Sequence, residues 1–188
     1  MSGSIILAAA PDNPVGTIVV DIQGVSNGVE NGTQQVVVGD VTGPTIRGLR
    51  TITSGRGRRR TTSIILNFDE PLDPARAQGL SNYTLRASGS DRRFGNRNDR
   101  NVALARSTYD PNARTVTLVT ARPLAANQAY RLTVNGMSPG AGVSDSVGNL
   151  LDGDSNGARG GDFLGRFGRP ERPPVSRRGG GARTARGG

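Results

Sequence analysis

Cysteine, histidine, tryptophan and lysine are absent from the 188 residues, and the aromatic residues amount to three Tyr and four Phe. Each absence removes a class of chemistry. Without Cys there is no disulfide frame and no thiolate nucleophile, although secreted bacterial proteins often lack both. Without His or Lys there is no imidazole base to activate a Ser or Thr and no amine for a Schiff base. With so few aromatic rings, a sugar-binding cleft around a carboxylate pair drawn from Asp69, Glu70 and Asp73 is poorly supported, and the chain is not expected to be an enzyme. No apolar run approaches the roughly 20 residues of a membrane span, and the opening MSGSIILAAA has neither a basic n-region nor a full apolar h-region, so the sequence is expected to be a piece of a longer chain.

What is present is arginine, glycine and short bursts of β-forming residues. All 24 basic residues are Arg, which most simply reflects a GC-rich coding bias, and the formal net charge of +9 is unevenly spread. Residues 1–43 contain four acids and no Arg, residues 44–163 contain 17 Arg and 10 acids, and residues 164–188 contain seven Arg and one acid. The last segment is Gly, Pro and Arg with almost no apolar surface to bury, which predicts a disordered basic tail over 164–188. The run SGRGRRRTT at 54–62 lies between apolar segments and is expected to be a surface loop.

From residue 45 apolar residues alternate in bursts separated by turn residues: 45–52, 63–68, 82–87, 101–109, 114–120 and 129–134, with a last short strand near DFLGRF. This pattern predicts an all-β, Ig-like or fibronectin-III-like antiparallel sandwich of about seven strands over 44–163, with DPNA (110–113) as a hairpin turn and PARAQGL (74–80) as at most one helical turn. Leu124 followed six residues later by Tyr130, just inside a strand, is the spacing of a tyrosine corner.

Four stretches in order, IILNFDEPLDP (64–74), NYTL (82–85), RTVTLVTARPLAANQAYRLTVNG (114–136) and VSDSVGN (143–149), resemble bacterial Ig-like domains of the S-layer-protein (SbsA) type. Asp69 stands where that family often has Ser, and the resemblance implies that Asp69, Glu70 and Asp73 are turn residues. The resemblance implies a non-enzymatic spacer or adhesion module of an exported bacterial repeat protein, extracellular or at the cell surface, whose partners are neighbouring Ig-like repeats. TIVVDIQGVSNGVENG (17–32) looks like a worn copy of 131–149. Residues 1–43 are thus either the closing strands of a preceding repeat plus a linker, or two strands docked on the single domain.

Two loops offer oxygen ligands for calcium. DGDSNGARGGDF (152–163) places Asp152, Asp154 and Asn156 at alternate positions before Gly157, with Asp162 as a closing ligand; the bidentate Glu of a full EF-hand is missing, since Phe163 holds its place. The alternative is an ordinary turn of turn residues. In SDRRFGNRND (90–99), Asp91, Asn98 and Asp99 are opposed by the like charge of Arg92, Arg93, Arg97 and Arg100, so a hairpin with Phe94 folded inward is expected. The rival to the spacer reading is nucleic-acid or polyanion binding through the Arg/Gly-rich tail. Phe167 is its lone aromatic residue, which argues against specific nucleic-acid recognition, and anionic cell-surface polymers are as good an electrostatic match.

Overall fold

A computed structural model describes the backbone of residues 16–21 and 33–38, and residues 40–137 and 142–172, the side chain of Arg58 apart. The first two strands, β1 (Gly16–Asp21) and β2 (Thr33–Val38), pair antiparallel as a two-stranded sheet of their own.

From residue 46 the alternating bursts become β3 (Ile46–Ser54), β4 (Thr61–Phe68), β5 (Tyr83–Ala87), β6 (Arg100–Val102), β7 (Leu104–Asp110), β8 (Thr115–Thr120), β9 (Ala129–Val134) and β10 (Phe163–Gly168), with one turn of helix, α1 (Pro74–Gln78). They form two antiparallel sheets, β3-β4-β8-β7 and β10-β9-β5-β6. Period two does the work: Ile64, Leu66 and Phe68 of β4 and Val116 and Leu118 of β8 face inward, and share one core with Tyr83, Leu85, Leu132 and Val134 of the other sheet. Each such side chain contributes about 1.5–3 kcal/mol by leaving water. The sandwich expected from the sequence is therefore the fold.

Local signals hold as well. Asp110 Oδ1 accepts the N–H groups of Asn112 and Ala113, closing the β7–β8 turn. Asp73 caps α1 by accepting Arg76 N–H at 2.8 Å, ahead of a proline at the first helical turn. All three tyrosine rings are buried with their hydroxyls on backbone. Tyr83 donates to the Ala77 carbonyl at 2.7 Å, Tyr109 accepts from Leu72 N–H at 2.8 Å, and Tyr130 accepts Ala125 N–H at 2.7 Å while lying 3.1 Å from the Ala125 carbonyl. The last of these is the tyrosine corner, five residues upstream.

Two expectations change. The burst 101–109 is not one strand: β6 pairs with β5 in one sheet, β7 pairs with β8 in the other, and Ala103 is the crossing point, with a register shift between Leu104 and Arg106. The inward positions change phase across that shift, from Val102 and Leu104 to Ser107 and Tyr109, as a local bulge carries the extended chain from one sheet to the other. The folded chain also runs past residue 163. β10 pairs along its whole length with β9, Phe167 stacks on Tyr130 with ring centroids 5.5 Å apart, and Gly165 lies where a side chain would collide with Leu49. This is the short strand expected near DFLGRF, and it carries the folded chain to Gly168, into the segment whose Gly and Arg content reads as a tail. The expectation of a disordered tail beyond it falls on residues 173–188, outside the described residues.

These pairings give the sandwich two ends. The proximal end, where the chain enters, collects the start of β3, the end of β4, the β7–β8 turn and the loops 69–82 and 135–162. The distal end collects the β3–β4 hairpin tip, the loops 88–99 and 121–128, and the exit from β10 at residues 169–172.

Candidate functional site

At the proximal end three separate segments are fastened together by backbone bonds. Asp73 N–H donates to the Ser144 carbonyl at 2.9 Å, Leu72 and Asp145 form an isolated bridge, and Asp152 N–H donates to the Pro44 carbonyl at 2.9 Å. The incoming chain lies so close to the 143–152 loop that a side chain at Gly43 would meet the Leu150 carbonyl.

This arrangement brings Asp40, Glu70 and Asp145 together, with one carboxylate oxygen of each within 4.8 Å of the others. Asp145 is 3% exposed and heavily tied: Oδ1 accepts the N–H groups of Val147, Gly148 and Asn149 at 3.0, 2.7 and 2.8 Å, and Oδ2 accepts Asn149 Nδ2 at 2.7 Å. That is the physical role of DSVGN within the VSDSVGN stretch, an acid that organises its own turn. Asn149 Nδ2 also donates to the Asp40 carbonyl at 3.0 Å, and Asp40 Oδ1 accepts Thr42 N–H at 2.9 Å.

Glu70 has no comparable anchor. Burial pushes its carboxyl up to about 7, helped by the charges of Asp40, Asp69 and Asp145 and by a hydrogen bond with Asp40. Like charges this close do not all ionise, so Glu70 shares a proton with the cluster near neutral pH. Asp69 itself is used structurally, accepting Thr45 N–H and Thr45 Oγ1 at 2.7 and 2.5 Å and pairing with Arg47 at 3.2 Å. Of the three acids expected to serve turns, Asp69 and Asp73 do so, whereas Glu70 faces the cluster. Asp40 was not singled out by sequence, because its partners are distant in the chain.

The residues expected to hold calcium lie in the neighbouring 151–162 loop. Asp152, 4% exposed, accepts Asn156 N–H on Oδ1 at 3.1 Å and Gly157 N–H on Oδ2 at 2.8 Å. Asn156 Oδ1 accepts Ala158 N–H at 2.8 Å, Asp154 Oδ2 accepts Asn156 Nδ2 at 3.0 Å, and Asp162 Oδ1 accepts Gly136 N–H at 3.0 Å. Each of the four therefore has at least one oxygen committed within the protein, and among the described residues the carboxylates that converge are Asp40, Glu70 and Asp145. In the second loop, Asp99 is enclosed, pairing with Arg86 at 3.6 Å and accepting Gly95 N–H at 2.8 Å. Phe94 is half-buried under the Arg131 guanidinium at 4.7 Å.

The family model for the bacterial Ig-like domain matches residues 40–158, from the first acid of the cluster into the 151–162 loop. The chain belongs to the bacterial Ig-like domain family. Solved structures similar to this Ig-like domain include the N-terminal part of the bacterial S-layer protein SbsC (15% identity, TM-score 0.43, 68% of this chain and 24% of that one) and domains 1–6 of the surface layer protein SbsC (14% identity, TM-score 0.43, 68% and 14%). The chain thus spans a quarter or less of the length of those proteins. No curated protein matches it.

Proposed function

We propose that this Ig-like domain is a non-catalytic spacer or adhesion module of an exported bacterial repeat protein, working at the cell surface in line with neighbouring Ig-like repeats. The supporting observation is the path of the chain. It enters at Asp40, strapped to the 143–152 loop, and leaves at the distal end after β10, where Arg172 N–H donates to the Arg92 carbonyl at 3.0 Å. Tension between the ends then acts along β3 and β10, each antiparallel to one neighbour. Such a load shears many backbone hydrogen bonds together rather than opening them one at a time. A calcium ion held by Asp152, Asp154, Asn156 and Asp162 would stiffen the same end.

The test uses the lack of native cysteine, which permits handles at Val41→Cys and Arg172→Cys. Pulling is expected to give one cooperative event releasing about 40 nm of chain, from about 3.5 Å per residue. Extension at near-zero force, or in many small steps, would count against a load-bearing spacer.

A further inference from the structure

Charge is unequal between the two ends of the sandwich: among the described residues of the proximal end four arginines, Arg47, Arg76, Arg114 and Arg159, stand against nine carboxylates, and at the distal end arginines predominate. The acids of the proximal end, beyond Asp40, Glu70 and Asp145, include Asp110 in the β7–β8 turn and Asp154 and Asp162 in the 151–162 loop, all three exposed. Among the described distal residues the acids are Asp91, Asp99 and Glu171, of which Asp99 is paired with Arg86 and Glu171 with Arg166 at 3.3 Å. The distal end instead carries Arg56, Arg59 and Arg60 on the hairpin tip, Arg122 on the β8–β9 loop, and Arg169 and Arg172 at the exit. All six are exposed and none has a carboxylate within ion-pair distance among the described residues. At the tip itself residues 55–57, 59 and 60 are all exposed.

We infer that the arginine-bearing distal end docks on the acidic proximal end of a second copy of this chain, head to tail. Charge complementarity selects this partner. The chain enters at the acidic end and leaves at the basic one, so modules placed in line present opposite charges at every junction without any change of orientation. A head-to-tail contact does not close on itself, and it repeats into a filament. Glu70 fits the scheme: in the free domain it is repelled by Asp40, Asp69 and Asp145, and an incoming guanidinium relieves that repulsion. The net charge of +9 opposes association at long range. At about 0.1 M salt, however, the Debye length is ~10 Å, shorter than a strand of the sandwich, so facing ends outweigh the total. The inference rests on the spacer reading and names the surface and partner through which the module continues.

The test is sedimentation velocity of the full 188-residue chain at about 0.1 and about 0.5 M salt, with two charge-reversed variants, Arg56→Glu/Arg59→Glu at the tip and Glu70→Lys/Asp154→Lys at the acidic end. The wild type is expected to self-associate at the lower salt and to weaken at least about tenfold at the higher. Each variant alone should stay monomeric, and their equimolar mixture should associate again. If the acidic-end variant does not melt as a folded protein, the tip variant still decides, because its intact acidic end should cap and shorten wild-type oligomers. Association that survives tip reversal overturns the inference, as does a wild type that remains monomeric in both salts while binding inorganic polyphosphate, which makes a soluble polyanion the partner. A monomer that nonetheless unfolds as one unit under tension defeats the docking and leaves the spacer reading standing.

Discussion

Glu70→Gln should make the domain more stable at neutral and alkaline pH. In the folded chain the carboxyl titrates at about 7, raised first by burial and then by the charges of Asp40, Asp69 and Asp145. Unfolded, it titrates near 4.3. Between those values the folded state binds more protons than the unfolded state, so the contribution of Glu70 to stability is present below about 4.5 and lost as pH rises through about 7. On paper the change is about 3 kcal/mol, but the group keeps a path to solvent, and screening reduces it to about 1–2 kcal/mol. The amide of the variant is uncharged at every pH and retains a donor for the Asp40 carboxylate. Urea melts at fixed ionic strength, with chelator, at pH 5 and pH 8 are therefore expected to show the wild type losing about 1–2 kcal/mol more than the variant across that interval. The two should lie within about 0.5 kcal/mol at pH 5. A variant that is less stable than wild type at pH 8, or that keeps the same pH slope, would refute the reading of Glu70 as a crowded, repelled acid.

Tyr130→Phe removes the hydroxyl that accepts Ala125 N–H and should cost about 0.5–1.5 kcal/mol in denaturant melts; a loss near zero would mean the corner holds without it. Truncation after Arg172 should leave the melting temperature unchanged while reducing salt-sensitive binding to polyanions, because four arginines lie beyond it; truncation after Phe163 strips β10 from β9 and Phe167 from Tyr130, and should lower the melting temperature sharply. If the 151–162 loop holds calcium, metal-stripped protein should gain about 2.7 kcal/mol when the ion is at a hundred times its dissociation constant. That gain should vanish in Asp154→Ala and persist in Asp99→Ala, although the latter starts lower through loss of its Arg86 pair; equal curves in calcium and chelator would reduce the loop to a turn.

Features settled within a few residues were legible in the sequence. The alternation of Ile64, Leu66 and Phe68, the Asp110 turn, the single helical turn after Asp73 and the Tyr130 corner all depend on neighbours no more than five positions away. Their side chains or backbone meet the same partners whatever the rest of the chain does. The four family motifs are assemblies of such local devices, which is why their order sufficed to indicate an Ig-like sandwich. The sheet in which each strand pairs is different in kind. β6 and β7 are one continuous extended run, and the hydrogen-bonding partners on either side of Ala103, with the register shift after Leu104, divide it between two sheets. A short strand near DFLGRF was legible, but its extension to Gly168, past the residue-163 boundary, is decided by the edge that β9 offers it. The acidic cluster and the opposite charge of the two ends are decided at the same level. Asp40, Glu70 and Asp145 lie on three segments far apart in sequence, and it is the antiparallel pairing of β3 with β4 and the bridge between Leu72 and Asp145 that bring their like charges together. Charges interact through space, so their effect on one another is fixed by where the chain folds and not by their order along it.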